Sequence, residues 1–157
     1  MMQNKNKAVT VLTKGVEFLF KKNKVSYFKG IGKFKTKNKI SVIDNNKNET
    51  IIETNNVIIC TGSEPMSLPG VNIDEKNIIS STGALSLKSV PKKMVIVGGG
   101  YIGLEMGSGW SRLGSEVYVI EFLNHITPGM DKEISNEFMK ILKKQGIIFT
   151  LKQKLSR

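Results

Sequence analysis

The residues best suited to chemistry in this chain form a glycine-rich segment in its second half. Residues 98–103 read Gly-Gly-Gly-Tyr-Ile-Gly, so the pattern G-x-G-x-x-G is present at Gly98, Gly100 and Gly103. In such a loop the first glycine permits a tight turn, the second lets the backbone approach a pyrophosphate, and the third lets a helix pack closely on a sheet. The N–H groups at the start of that helix then face the phosphates. The pattern predicts a dinucleotide site, provided that a strand precedes it and a helix follows it.

An acidic residue stands where a dinucleotide site of this kind needs one. Glu121 ends the next apolar segment, roughly 20 residues beyond the first glycine of the motif. A carboxylate there can accept hydrogen bonds from both ribose hydroxyls and would repel a 2′-phosphate, which favours NAD over NADP. The alternative interpretation is a structural glycine turn with a surface glutamate. Glu105, inside the predicted helix, either stabilises the helix through its dipole or faces a bound cofactor.

The elements around the glycine loop alternate between strand and helix patterns. Residues 94–97, 116–120 and 147–151 are apolar and rich in β-branched residues, and they are predicted as strands, the first of them buried. Residues 101–113 form one predicted helix, and an amphipathic helix ending at Gly146 lies before the third strand. This alternation predicts an α/β fold with a Rossmann-type parallel sheet and right-handed crossovers.

The first half of the chain predicts a different, β-rich arrangement. Ala8, Val11, Leu12, Phe18 and Leu19 recur at helical spacing. Residues 25–30, 31–34, 40–43 and 50–53 are predicted as extended segments, with a polar turn at 44–48. Residues 57–60 form a short continuous apolar run, which is typical of a strand buried on both faces. The prolines and glycine at 65–70 indicate a boundary, and the serines at 80 and 81 precede a short predicted helix.

Composition excludes several classes of function. The 157 residues, 39% hydrophobic and 24% charged, fit one globular domain or pieces of two, and no apolar run is long enough to span a membrane. The single Cys60 excludes an intramolecular disulfide, and with the single His125 it leaves no basis for a metal site. The net charge of +11 comes almost wholly from lysine, which argues for a solvated surface and against a nucleic-acid partner.

Several segments together resemble a known family. Residues 57–65 read Val-Ile-Ile-Cys-Thr-Gly-Ser-Glu-Pro and resemble the A-T-G-S-x-P segment of flavin-dependent pyridine nucleotide-disulfide oxidoreductases, with Cys60 where alanine is usual. Residues 79–85, the glycine loop and residues 110–117 extend the match in the family's order. Together these segments look like those of the dihydrolipoamide dehydrogenase group, whose members reduce NAD.

The resemblance implies roles for individual residues. Electrons would pass from protein-bound dihydrolipoamide to a redox disulfide and through FAD to NAD. NAD contacts are implied for Gly98, Gly99, Gly100, Tyr101, Ile102, Gly103, Glu105, Glu121 and Leu155, with Tyr101 shielding the flavin, Glu121 on the ribose and Leu155 at the adenine. FAD contacts are implied for Gly32, Thr61, Gly62 and Ser63. Cys60 is expected to be a small buried apolar residue, and no catalytic residue is expected in this chain.

The resemblance also implies an internal piece of a longer enzyme. The family's first glycine motif, its C-x-x-x-x-C disulfide and its His-Glu pair are not in the sequence, so the chain alone should not turn over. We expect residues 1–65 to belong to an FAD domain and residues 66–157 to an incomplete NAD domain. The implied partners are a lipoyl domain of 2-oxo acid dehydrogenase complexes and a second copy in a homodimer, in the mitochondrial matrix or another organelle. Another NADH-linked disulfide reductase and a non-catalytic NAD-binding module remain alternatives.

Overall fold

The computed structural model of the chain describes residues 1–154, which divide into two compact units. The first unit ends at Ser63 and the second begins at Glu64. The division lies close to the predicted boundary, but contacts within a chain do not report which cofactor a unit holds. The assignment of residues 1–65 to an FAD domain and 66–157 to an NAD domain therefore stays a prediction.

The first unit consists of a long helix and an antiparallel three-stranded sheet. Helix α1 spans Met2–Lys22, and the strands are β1 (Ile31–Thr36), β2 (Lys39–Ile43) and β3 (Glu49–Glu53), paired in that order. The structure therefore confirms the helical spacing in α1 and the extended segments predicted at 31–34, 40–43 and 50–53. The predicted polar turn joins β2 to β3, where Oδ1 of Asp44 accepts hydrogen bonds from two backbone N–H groups further along the turn.

Two predicted strands of the first unit are wrong. Residues 25–30 form no strand, and pairing begins only at Ile31. Residues 57–60 also form no strand, and Ile58 is 87% exposed instead of buried. An apolar run becomes a buried strand only where other strands and side chains cover it, and in the described chain nothing pairs with this segment. Cys60 is accordingly exposed, which corrects its expected burial.

The second unit contains a parallel sheet with helical connections. Its elements are α2 (Ser81–Ala84), β4 (Lys93–Val97), α3 (Tyr101–Arg112), β5 (Glu116–Ile120), α4 (Lys132–Lys144) and β6 (Ile148–Thr150). The strand order is β4-β5-β6, and both pairings are parallel. The predicted α/β class, with a parallel sheet preceded by a β-rich portion, is confirmed.

The core of the second unit lies on one face of the parallel sheet. Its buried members come from α3, β5, α4 and the loops after β5 and α4: Leu104, Val117, Val119, Ile126, Leu142 and Ile147. Strand β4 was expected to be buried, but only alternate residues point to this core, and Val95 on the other face is 60% exposed. Burial alternates along β4 because α3 and α4 supply side chains to only one face of the sheet.

Local sequence signals explain where the helices of the second unit begin and end. The carboxylate of Asp131 caps α4 by accepting hydrogen bonds from the N–H groups of Glu133 (2.8 Å) and Ile134 (3.3 Å). After α4, Gly146 adopts a φ of +92°, the left-handed conformation in which glycine is favoured. Of the helices within residues 1–154, none combines the length and apolar character that crossing a membrane would need.

Candidate dinucleotide-binding site

The glycine loop lies at the carboxyl end of β4 and leads directly into α3. Gly98 has a φ of +104°, and its N–H donates to the carbonyl oxygen of Ile120 at 2.8 Å. Gly100 is the N-cap of α3, and no side chain caps this helix. The first N–H groups of a helix have no acceptor within the helix, so those of α3 are available to an anionic ligand. The strand, loop and helix that the motif requires are all present.

The glycines of the motif are needed for different physical reasons. A Cβ on Gly103 would lie 2.7 Å from the carbonyl oxygen of Gly98, so contact within the chain requires glycine there. A Cβ on Gly100 would meet no atom of residues 1–154 within 4 Å, and its φ of −76° is open to any residue. Nothing in this described part of the chain therefore requires glycine at position 100. Glycine at this position would let a molecule from outside approach the backbone closely, as the pyrophosphate of a dinucleotide does at the second glycine of this motif.

Glu121 is buried beside the glycine loop. Its Oε2 accepts a hydrogen bond from the N–H of Gly99 at 2.6 Å, and its Oε1 accepts one from the N–H of Leu123 at 2.7 Å. The side chain is not a free surface carboxylate, since the whole residue is only 8% exposed. A carboxylate has about four acceptor positions, so each oxygen keeps capacity for a further donor. The geometry allows the ribose contact that the sequence predicts.

The sequence did not identify the segment that holds the glycine loop from the other side. The N–H of Thr127 donates to the carbonyl oxygen of Gly99 at 2.8 Å, and Ile126 is fully buried against the same glycine. Thr127 has a φ of +49°, an outlier for a β-branched residue that costs on the order of 1–3 kcal/mol. A residue before proline normally adopts an extended conformation, so the local sequence at Thr127-Pro128 pointed away from this geometry.

The remaining residues predicted to contact NAD are placed as follows. Tyr101 and Ile102 occupy the first turn of α3 and are exposed, Tyr101 to 70%. Glu105 is exposed and lies beyond the first turn, where a helix dipole has little effect. This weakens the helix-stabilising interpretation of Glu105. The prediction for Leu155 lies outside the described residues.

The residues predicted to contact FAD belong to the first unit. Gly32 lies in β1 opposite Val42 in the β1–β2 pairing. Thr61, Gly62 and Ser63 are exposed and belong to no helix or strand, and Gly62 has a φ of +82°. These residues form no enclosed cradle within the described chain, so their role toward the flavin stays a prediction.

A charged cluster of the parallel sheet lies at the opposite end of β5 from Glu121. The hydroxyl of Tyr118 donates to Glu116, whose other oxygen lies 3.5 Å from Nζ of Lys93. The hydrogen bond from Tyr118, with the nearby Lys93 charge, lowers the pKa of Glu116, and the same bond raises the pKa of Tyr118. Glu116 is therefore a carboxylate on the same strand as Glu121 but remote from the glycine loop, and it serves as a control position for changes at Glu121.

Comparison with known proteins shows the family to which the chain belongs. Residues 2–157 match the family described as pyridine nucleotide-disulphide oxidoreductase. The chain belongs to this family. The resemblance predicted from the motifs is thereby confirmed at the family level, and the glycine loop lies within the matched region.

Relatives within the pyridine nucleotide-disulphide oxidoreductase family cover nearly the whole chain. It is 56% identical over 155 residues to the mitochondrial dihydrolipoyl dehydrogenase of Pisum sativum and 57% identical over 156 residues to that of Dictyostelium discoideum. It is also 56% identical over 155 residues to a leghemoglobin reductase of Vigna unguiculata. Each match covers 99% of the chain, but the chain spans only 30%, 31% and 32% of the Vigna, Pisum and Dictyostelium proteins.

A solved flavoprotein disulfide reductase has a similar backbone. The HOCl-induced flavoprotein disulfide reductase RclA from Escherichia coli matches with a TM-score of 0.83 and 28% sequence identity. The match covers 99% of this chain and 35% of the RclA chain. The fold described above is thus the fold of a part of this oxidoreductase family.

Proposed function

We propose that the chain is the NAD-binding portion, with part of the FAD-binding portion, of a dihydrolipoyl dehydrogenase. The whole protein would oxidise protein-bound dihydrolipoamide and pass the electrons to NAD. The observation that carries the NAD part is the geometry at the end of β5, where buried Glu121 is hydrogen-bonded to the N–H of Gly99 in the glycine loop. The relatives named dihydrolipoyl dehydrogenase, which match 99% of the chain, support the enzyme class.

The chain's own residues would bind and orient the dinucleotide. The uncapped start of α3 would hold the pyrophosphate, and the absence of a side chain at Gly100 would let it approach the backbone. Glu121 would accept hydrogen bonds from the ribose hydroxyls through the acceptor positions that Gly99 and Leu123 leave unused. Tyr101, exposed beside the loop, would lie along the nicotinamide approach. When bound, NAD supplies the hydride-accepting ring.

The rest of the activity belongs to parts of the enzyme beyond these residues. Cys60 is the only cysteine of the chain, so the proposed redox disulfide would lie elsewhere in the protein. Gly32 and residues 61–63, all exposed in the first unit, would contribute to FAD binding. A lipoyl domain as substrate, a homodimer and a location in the mitochondrial matrix are part of the same proposal. The names of the plant and Dictyostelium relatives include the word mitochondrial, which supports the organelle.

A direct binding measurement tests the proposal. The 157-residue chain is titrated with NAD, NADH and NADP, following NADH fluorescence and calorimetric heat. We expect NAD and NADH to bind more tightly than NADP, because the Glu121 carboxylate would repel a 2′-phosphate. Equal affinity for NAD and NADP, or no binding of either, would contradict the assignment.

The Vigna relative named leghemoglobin reductase supports a second candidate, another NADH-linked reductase of the same family. The native protein distinguishes the candidates. If the native protein reduces NAD with dihydrolipoamide as electron donor, the dehydrogenase is supported. If it uses only NADH as electron donor and reduces a different acceptor, the reductase is supported. A native mass near 17.4 kDa with NAD binding and no turnover would instead indicate a non-catalytic module.

A further inference from the structure

The glycine loop is held in place by the segment that follows β5, residues 122–130. Both polar groups of Gly99 are engaged, since its N–H donates to Glu121 at 2.6 Å and its carbonyl oxygen accepts from the N–H of Thr127 at 2.8 Å. The fully buried Ile126 packs against Gly99, since a Cβ added to Gly99 would lie 3.1 Å from Cγ2 of Ile126. The orientation of Gly99 therefore depends on Thr127 as well as on Glu121.

Thr127 is itself fixed by a buried hydroxyl pair. Its Oγ1 lies 2.7 Å from Oγ of Ser135 in helix α4, and either hydroxyl can be the donor. Thr127 is 4% exposed and Ser135 is 1% exposed, so neither hydroxyl has water as an easy alternative partner. The left-handed backbone conformation of Thr127 is unfavourable for a β-branched residue and requires such support. Helix α4 is thus connected through two hydroxyls to the glycine loop.

The orientation of Gly99 matters because Gly99 holds the carboxylate that would select the dinucleotide. Its N–H binds Oε2 of Glu121, while Leu123 binds Oε1, and together they fix the direction of the two oxygens. Rejection of a 2′-phosphate requires the negative charge to stay at this position, since a carboxylate that turns aside no longer repels it. A change that loosens Gly99 should therefore affect the choice between two dinucleotides more than the fold.

We propose that Thr127 and Ser135 are positioning residues that set the preference for a dinucleotide with a free 2′-hydroxyl. They act through Gly99 on Glu121 and contact no ligand themselves. The inference rests on the proposed function, because it concerns the selectivity of the same site. It adds to that function two residues outside the glycine motif, Thr127 in the segment after β5 and Ser135 in helix α4.

Four variants of the 157-residue chain test the proposal. Thr127→Val and Ser135→Ala each break the hydroxyl pair, and two such variants are used in case one does not fold. Thr127→Ser keeps the hydroxyl and serves as the conservative rescue. Ser115→Ala is the matched control, because Ser115 is a buried serine of the same unit whose hydroxyl donates to the carbonyl oxygen of Pro91 at 2.6 Å. The measurements are the NAD and NADP dissociation constants and the melting temperature.

The expected result is a change in selectivity that stability alone does not explain. In Thr127→Val and Ser135→Ala the ratio of NAD to NADP affinity should fall by about fivefold or more, as for residues coupled in one network. In Thr127→Ser and Ser115→Ala it should stay within about twofold, even where the melting temperature falls. An unchanged ratio in the variants that break the pair would overturn the proposal.

A second measurement separates this proposal from the proposed function. If the parent chain binds neither dinucleotide, the proposed function fails, and amide hydrogen exchange then decides whether the pair positions the loop. Breaking the pair should speed exchange at Gly99 by about tenfold or more, whereas Ser115→Ala should not. Unchanged exchange at Gly99 would show that Thr127 and Ser135 do not position it.

Discussion

A Cβ atom on Gly103 would lie 2.7 Å from the carbonyl oxygen of Gly98, closer than real Cβ atoms approach a backbone oxygen. The third glycine of the motif is therefore needed to let α3 pack against the turn that ends β4, whether or not a ligand binds. Gly107, one turn further along α3, is less restricted, because the nearest atom to its Cβ would be the flexible end of Ile96 at 2.8 Å. The same helix also contains Gly109, where an added Cβ would meet no atom of residues 1–154 within 4 Å.

These distances predict different effects for three glycine-to-alanine changes in α3. Gly103→Ala should destabilise the chain by about 1–3 kcal/mol, because the backbone of Gly98 cannot move aside cheaply. Gly107→Ala should cost less, since the Ile96 side chain can adjust. Gly109→Ala should stabilise the chain by up to about 1 kcal/mol, because alanine favours an exposed helix interior. Urea unfolding of the three variants measures this order, and equal effects would contradict the packing argument.

Replacement of Glu121 should change the choice of dinucleotide. Hydrogen bonds to a charged group contribute about 1.5–3 kcal/mol, so Glu121→Ala should weaken NAD binding roughly ten- to a hundredfold. NADP binding should stay equal or improve slightly, because a repulsion has been removed. Titration by NADH fluorescence and calorimetry measures both affinities.

Two further variants are needed to separate the effect of the Glu121 charge from a loss of stability. Alanine also leaves the N–H groups of Gly99 and Leu123 without their acceptor, so part of its effect would be a loss of stability. Glu121→Gln keeps a side-chain oxygen and removes the charge, and should still reduce the preference for NAD. Glu116→Gln makes the same change at the other end of β5 and should leave both affinities unchanged. If neither change at Glu121 altered the NAD affinity, this carboxylate would have no part in binding.

The parts of the fold that sequence predicted correctly are those determined by local pattern. Strand β4, helix α3 and the end of α4 at Gly146 follow from apolar spacing and glycine position, and the structure confirms them. The buried strand predicted at residues 57–60 was wrong, because burial depends on contacting elements that a local apolar run does not reveal. Thr127 was missed for a similar reason: its contacts with Gly99 and Ser135 join separate elements, and its backbone conformation runs against the local preference.

The purified 157-residue chain should carry no stoichiometric flavin. Among the residues implied for FAD, Thr61, Gly62 and Ser63 are exposed, and Gly32 lies in an exposed strand. A flavin held by so little buried surface would dissociate during purification, because binding must offset the lost freedom of the ligand. An absorbance spectrum with a flavin band near one equivalent per chain would contradict this expectation, and a spectrum without one would agree with it.

Asp74 should titrate at a lower pH than an ordinary aspartate. Its Oδ1 accepts hydrogen bonds from the backbone N–H groups of Lys76 (2.8 Å), Asn77 (2.9 Å) and Ile78 (2.9 Å). These donors favour the ionised carboxylate, with Lys76 contributing most, and they lower the pKa of Asp74. Carbon-detected NMR should show the carboxyl midpoint below about 3.9, the value of an unperturbed aspartate, with the three amide signals shifting in the same step.

The direction of the shift determines how the stability of the turn at residues 74–78, which these hydrogen bonds close, depends on pH. Because the pKa of Asp74 is lower in the folded chain, the folded state binds fewer protons than the unfolded state in the acid range. The turn's contribution to stability is therefore fully present above the unfolded pKa and is lost as the pH falls through the lowered folded value. Asp74→Asn should remove this pH dependence of stability. The unfolding free energy of the variant should therefore change less between neutral and acid pH than that of the parent chain. A parent and variant with parallel pH profiles, or an Asp74 midpoint at the ordinary value, would show that the three N–H groups do not act on the ionised form.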